Sequence, residues 1–209
     1  ALPISHLSRD PILLDAFRKD EDIHRRTAAE VFKVTPEEVS AAMRERAKAV
    51  NFGIVYGISD YGLAQGLGIS RKEAQRYIES YFDRYEGVRE YMERVIARAR
   101  ENGYVTTLLE RRRYLPEIRS SHFGRRSFAE RMARNTPVQG SAADIIKLAM
   151  LRVARTIRDG GFKARLLLQI HDELLFEIDE SELNFFAPVI RRDMEQACSL
   201  EIPLKVDLK

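Results

Sequence analysis

From Asp10 to about Arg100 apolar residues recur three and four apart and acids gather near segment starts, a period that commits the first half of the chain to packed helices. The local punctuation agrees with the period. "TPEEV" at Thr35 to Val39 offers an N-cap, a first-turn proline and two acids. "ISRKEAQRYIESYFDRYEGV" repeats that arrangement: Ser70 caps, Ala74, Tyr77, Ile78, Tyr81 and Phe82 form one stripe, and Gly87 marks the end. A stripe of that kind is a core face. The pattern then changes. Between Gly103 and Pro116, β-branched and aromatic residues predict a short hairpin, followed by a long helix from Arg125 to about Arg158. After the turn at Asp159 to Gly161 come two apolar runs, a helical stretch from Ser181 to about Cys198, and "IPLKVDL" as a last alternating strand. The expected class is α+β, a helical half followed by a smaller half with an antiparallel sheet.

With 209 residues and 44% hydrophobic content, the chain can bury a core as one domain or two small ones. No run approaches the roughly 20 apolar residues of a membrane span, and "ALPISHLSRD" lacks the build of a signal peptide, so a cytoplasmic protein without membrane contact is expected. Cys198 is the sole cysteine, which excludes an internal disulfide and a cysteine-based zinc site, and it reads as packed in the last helix. The net charge of +3 matters less than its distribution. Basic residues cluster at Arg44 to Lys48, Arg111 to Arg113 and Arg125 to Arg134, sites for polyphosphate if they are more than solvated helix faces.

Three stretches carry chemistry. In "MRERAKAVNFGIVYG", Arg44, Lys48 and Phe52 lie four apart and form a drifting helical stripe about 12 Å long. Two cations and then an aromatic ring match a triphosphate with its sugar and base. Tyr56 follows one turn on, and Gly57 can end the helix. In "ERMARNTPVQGSAADIIKLAM", Arg131, Asn135 and Gln139 share an edge on which Pro137 should kink or unwind the helix; such donors suit the acceptors that every base pair presents in the minor groove. In "LLLQIHDELLFEID" a hairpin places His171, Asp172 and Glu173 at its bend, either as a polar turn or with Asp172 as an oxygen ligand for Mg²⁺. Neighbours on a strand point to opposite faces, so Asp172 and Glu173 would not clamp one ion symmetrically. His24, near a helix start in "DIHRRTAAEVF", either caps, packs or binds ligand.

Taken together, "RERAKAVNFGIVYG", "RMARNTPVQGSAADIIKLAM" and "LLLQIHDELLFEI" resemble the motifs of the family A DNA polymerases, the bacterial DNA polymerase I type, over about His6 to Lys209. The resemblance implies a fingers subdomain at residues 1–121 and part of an antiparallel-sheet palm at 122–209. It further implies that Arg44, Lys48 and His24 bind the incoming deoxynucleoside triphosphate, and that Phe52 packs on its sugar and base. Tyr56 would guard the site of the template base. Arg131, Asn135, Gln139, Gln169 and His171 would line the minor groove of a primer-template. Asp172 would be a catalytic, metal-holding aspartate with Glu173 as its neighbour, in a site that takes two Mg²⁺ ions in the intact enzyme. Family members with tyrosine at the position of Phe52 accept dideoxynucleotides more readily.

One departure qualifies the resemblance. The family's other metal aspartate lies in a "DYSQIELR"-like strand just before the segment that here reads "HLSRDP"; "ALPIS" has no acid, and Asp10 and Asp15 fall in the following loop and helix. The expectation is a fragment that needs upstream palm and thumb segments and is inactive alone. The alternative reading is a non-catalytic nucleotide- or DNA-binding module. A metal hydrolase built on His171, Asp172 and Glu173 is weaker, for want of a second histidine or carboxylate cluster at metal spacing.

Overall fold

Helix caps organise the first half. In the computed structural model, which describes residues 2–209, α1 (Leu2–Ser8) leads into α2 (Pro11–Arg18), whose N-cap Asp10 accepts from the Ile12 and Leu13 amides at 3.0 Å. Asp22 caps α3 (Ile23–Phe32), Ser40 caps α4 (Ala41–Val55), Ser59 caps α5 (Asp60–Leu67) and Ser70 caps α6 (Arg71–Arg84). Pro36–Glu38 form a single 3-10 turn between Thr35 and Val39, and the Thr35 amide donates to Glu38 Oε2 at 2.8 Å, as in a capping box. Ile4, Leu13, Val50, Ile54, Leu63, Ala74, Tyr81, Tyr85 and Val88 pack together in one core, with Tyr77, Ile78 and Phe82 against them, as the apolar stripe requires, while α3 packs Ala28 and Ala29 against Val39 and Ala47 in a second cluster.

Gly87 has a different role from the expected one. Tyr85 closes α6 and opens α7 (Glu86–Asn102), so Gly87 lies in the first turn of α7 and does not punctuate α6. Its amide donates to Asp10 Oδ2 at 3.0 Å, and a Cβ there would stand 2.9 Å from Asp10 Cα. Only a residue without a side chain allows α7 to approach the α2 cap this closely. Gly87→Ala is therefore expected to destabilise the fold by about 1–3 kcal/mol, the usual cost of overpacking. Thermal unfolding checks this; an unchanged midpoint would contradict the contact.

The second half begins with a short antiparallel hairpin, β1 (Tyr104–Thr106) with β2 (Arg112–Tyr114). Its loop is fastened to α8 (Phe123–Asp159): the Leu108 amide donates to Ser141 Oγ at 2.8 Å, and Arg111 pairs with buried Asp144 at 2.6 Å. α8 runs 37 residues, about 55 Å, and stays helical through Pro137 without unwinding. Burial of Ala129, Ala133, Val138 and Ser141 along this stretch supplies the tertiary packing that outweighs the lost backbone hydrogen bond. The second hairpin, β3 (Arg165–Ile170) with β4 (Glu173–Glu177), rests Phe176 against Val153, Phe186 and Ile190 of α8 and α9 (Leu183–Glu195), while Leu174 packs near Ala149. Four further apolar residues of the hairpin, Leu167, Leu168, Ile170 and Leu175, are about half exposed.

The class is α+β, helices with two two-stranded antiparallel sheets among the described residues. Two expectations at the C-terminus fail. "IPLKVDL" forms no strand; the segment is held instead by the Val206 amide on Glu195 Oε1 and by Lys205 on Asp20, and its backbone finds no edge to pair with. Cys198 lies beyond α9 rather than in it, half-buried, and burial pushes its thiol pKa up. No helix among the described residues is long and apolar enough to cross a membrane.

Candidate functional site

Three of the residues expected to meet a nucleotide, His24, Arg44 and Phe52, are joined by contacts between α3 and α4. The N-cap carboxylate of α3, Asp22, accepts from the amides of His24 and Arg25 through Oδ1. Through Oδ2 it receives Arg44 Nε at 2.6 Å. One acid thus fixes both the start of α3 and the first cation of the α4 stripe. His24 sits in the first turn of α3 with its ring centroid 5.7 Å from that of Phe52. Phe52 in turn stacks on Tyr56 at 6.2 Å and 17°. The three rings form a shelf along the end of α4 where it meets the α3 start, and Gly57, at φ +70°, ends the helix beside it. Lys48 is the least constrained member, with a 4.0 Å approach to Glu45 as its ion pair.

The electrostatics of this face follow from those contacts. Burial acts to raise the Asp22 pKa, but the hydrogen bond from Arg44 and the two amides outweigh it and hold the carboxyl below its ordinary value. His24 is held below the ordinary histidine value, first by burial and then by the positive charges of Arg44 and Lys48, against the pull of Asp22. A neutral ring beside two cations is a hydrogen-bond donor that adds no further repulsion to the site.

α8 carries the second group. Arg131 and Gln139 are exposed and Asn135 is half-buried, all on a helix that is continuous across Pro137. Arg131 lies over the Phe128 ring at 5.7 Å and donates to Ser127 Oγ at 3.2 Å. A Cβ on Gly57 would meet Arg134 Nη1 at 3.3 Å and Arg131 Cγ at 3.6 Å, so the end of the α4 shelf abuts this part of α8. Asn135 Oδ1 and Thr136 Oγ1 are buried without partners in the same turn.

The third group is the bend of the β3–β4 hairpin. Ile170 pairs with Glu173, leaving His171 and Asp172 as a two-residue turn, with His171 in the left-handed region at φ +54°. Gln169 Nε2 donates to the His171 carbonyl at 3.0 Å and braces the turn. Glu173 is held by Lys209 at 3.0 Å, whereas Asp172 is exposed and has no hydrogen bond or ion pair within the described residues. One open carboxylate suits Mg²⁺, which commonly takes only one or two protein carboxylates. The fit is partial, because no group of three His, Cys, Asp or Glu among the described residues could enclose an ion.

The sequence model of DNA polymerase family A matches residues 3–209. The chain belongs to this family. DNA polymerase I of Bacillus caldotenax is 56% identical over 204 residues, which is 98% of this chain and 23% of that protein. DNA polymerase I of Bacillus subtilis (strain 168) is 55% identical over the same share of each. The fold is similar to the POL domain of Pol1 from M. smegmatis, solved in complex with DNA primer-template and dNTP: the TM-score is 0.93 at 49% identity, covering 97% of this chain and 36% of that one. The chain spans about a quarter of the length of the curated relatives it matches.

Within this family A chain, sequence reasoning passed over two residues that the α3–α4 face depends on. Asp22 carries an N-cap signal, yet nothing local reveals its reach to Arg44, 22 positions away. Asn51, next to Phe52, reaches His24 across 27 positions.

Proposed function

We propose that the chain supplies the fingers, residues 1–121, and part of the palm, residues 122–209, of a DNA-directed DNA polymerase that adds deoxynucleotides to a primer 3′ end. The observation that carries this reading is the α3–α4 face, where a neutral histidine, two cations and an aromatic shelf follow one another along a single helix pair. Lys48, Arg44 and the His24 ring bind the triphosphate, each donating to oxygen. Phe52 packs on the sugar and base, and Tyr56 covers the position that receives the template base. Arg131, Asn135 and Gln139, with Gln169 and His171 from the hairpin, contact the minor groove of the primer-template, which allows binding without reading sequence. The primer 3′ hydroxyl attacks the α-phosphate in line and pyrophosphate leaves.

Asp172 would hold Mg²⁺, with Glu173 beside it. When bound, the ion supplies positive charge to the phosphate oxygens. Since Asp172 is the one open carboxylate at the bend, the 209 residues alone are not expected to extend a primer. They need further palm and thumb segments. The test is a chimaera in which residues 1–209 replace the matching segment of Bacillus caldotenax DNA polymerase I. Template-directed extension is expected; a folded chimaera that binds nucleotide yet never extends would favour a non-catalytic binding module.

Phe52→Tyr in the same chimaera places a phenolic hydroxyl on the ring that packs against the sugar. That hydroxyl substitutes for a missing 3′ hydroxyl, so the preference for deoxy over dideoxy substrates is expected to fall about tenfold or more, the worth of one hydrogen bond of ~1.4 kcal/mol or stronger. Competitive incorporation assays measure the ratio; an unchanged ratio would remove the sugar from this ring.

A further inference from the structure

Asn51 lies on α4 between Lys48 and Phe52 and is nine-tenths buried, at 8% exposure, an unusual place for an amide. Its Nδ2 is 3.0 Å from His24 Nδ1, and its Oδ1 is buried without a partner. The opposite orientation of the amide would bring Oδ1 to the ring and strand both hydrogens of the NH₂ group, where now one hydrogen is bonded and the oxygen and the second hydrogen are unpaired. Buried N–H groups without partners are rarer and costlier than under-satisfied carbonyl oxygens, so the amide donates to the ring. His24 Nδ1 is then the acceptor, and the ring proton resides on Nε2. His24 Nε2 has no hydrogen-bond partner among the described residues and remains accessible.

We propose that Asn51 is a positioning residue for nucleotide binding: it holds the His24 ring in the tautomer and orientation that present Nε2–H to a phosphate oxygen of the incoming nucleotide. This rests on the proposed function for its ligand, but not for its geometry. The ring also leans on Phe52, so the amide on one side and the aromatic shelf on the other leave it one direction in which to donate. Without the amide, the ring can place its proton on either nitrogen, and the Nδ1–H form offers a phosphate only a lone pair.

The experiment uses the 209-residue chain, with ¹⁵N-labelled histidine and Mg²⁺·dTTP as the probe. Long-range ¹H–¹⁵N spectra of the ligand-free protein are expected to show His24 protonated on Nε2, and Asn51→Leu, close in volume, to give a mixture of tautomers. A native ring protonated on Nδ1 would overturn the role of Asn51 whatever the nucleotide does. In titrations with Mg²⁺·dTTP, Asn51→Leu is expected to weaken binding about tenfold in the native background and to have no further effect in a His24→Gln background, since both act through one hydrogen bond. An equal loss in both backgrounds would make Asn51 a packing residue and overturn the proposal. If His24→Gln itself leaves affinity unchanged while the native ring carries its proton on Nε2, the nucleotide reading of His24 fails, and the phosphate role of Asn51 with it. Asn51→Gln, whose amide can still reach the ring, is expected to recover part of the lost affinity; no recovery in a folded variant with the Nε2–H tautomer restored would also count against the proposal.

Discussion

Asp172→Asn, introduced into the chimaera, is expected to lower template-directed extension by about 10³-fold or more while leaving affinity for deoxynucleoside triphosphate nearly unchanged. The substitution is isosteric and sits in an exposed two-residue turn that Gln169 braces through the His171 backbone, so the fold has no reason to change. What it removes is the open carboxylate. Electrostatic stabilisation of charge developing at a reacting phosphate is worth several kcal/mol, and each ~1.4 kcal/mol lost slows the reaction about tenfold. Glu173 cannot substitute easily, because it points from the first position of β4 and is engaged by Lys209. Single-turnover extension is the measurement. A rate within a few-fold of the parent would show that the hairpin bend is only a polar turn.

Lys48→Ala should have the second large effect, on binding rather than on the chemical step. A charge-assisted hydrogen bond contributes about 1.5–3 kcal/mol, which corresponds to a rise of about 10- to 150-fold in the dissociation constant for a triphosphate. Arg44→Ala is expected to cost less. Arg44 already satisfies Asp22 at 2.6 Å, and a phosphate must share or displace that carboxylate, whereas Lys48 has only the 4.0 Å approach to Glu45 to give up. Arg44→Ala also strips Asp22 of its partner, but an exposed ion pair contributes little, so any loss of stability that accompanies it is small. Equilibrium titrations with each variant order the two; Arg44 exceeding Lys48 would mean that the Asp22 contact opens at no cost when nucleotide arrives.

Much of this architecture was legible because its causes are local. Ser70 before an apolar stripe, the Pro36 turn and the bend between two apolar runs each act within a few residues, and the structure places a cap, a 3-10 turn and a hairpin there. The α4 stripe was legible for the same reason, since a four-residue spacing is a statement about one helix. Where the outcome depends on distant packing, the sequence was silent or misleading. Pro137 carries a local signal to break a helix, and burial of its neighbours in α8 overrides it. The alternation in "IPLKVDL" needs a strand edge to become structure, and no such edge meets it among the described residues. The Asp10–Gly87 contact, the Asp22–Arg44 pair and the Asn51–His24 hydrogen bond join residues far apart in the chain. Each is a product of the fold and has no periodicity to betray it.

Backbone ¹H–¹⁵N spectra of the 209-residue chain titrated with Mg²⁺·dTTP test the α3–α4 nucleotide face most directly. The expected result is saturable shifts concentrated at the start of α3 around His24 and along α4 from Arg44 to Tyr56, abolished or greatly weakened by Lys48→Ala. Shifts centred elsewhere, or shifts at this face that Lys48→Ala leaves untouched, would contradict it.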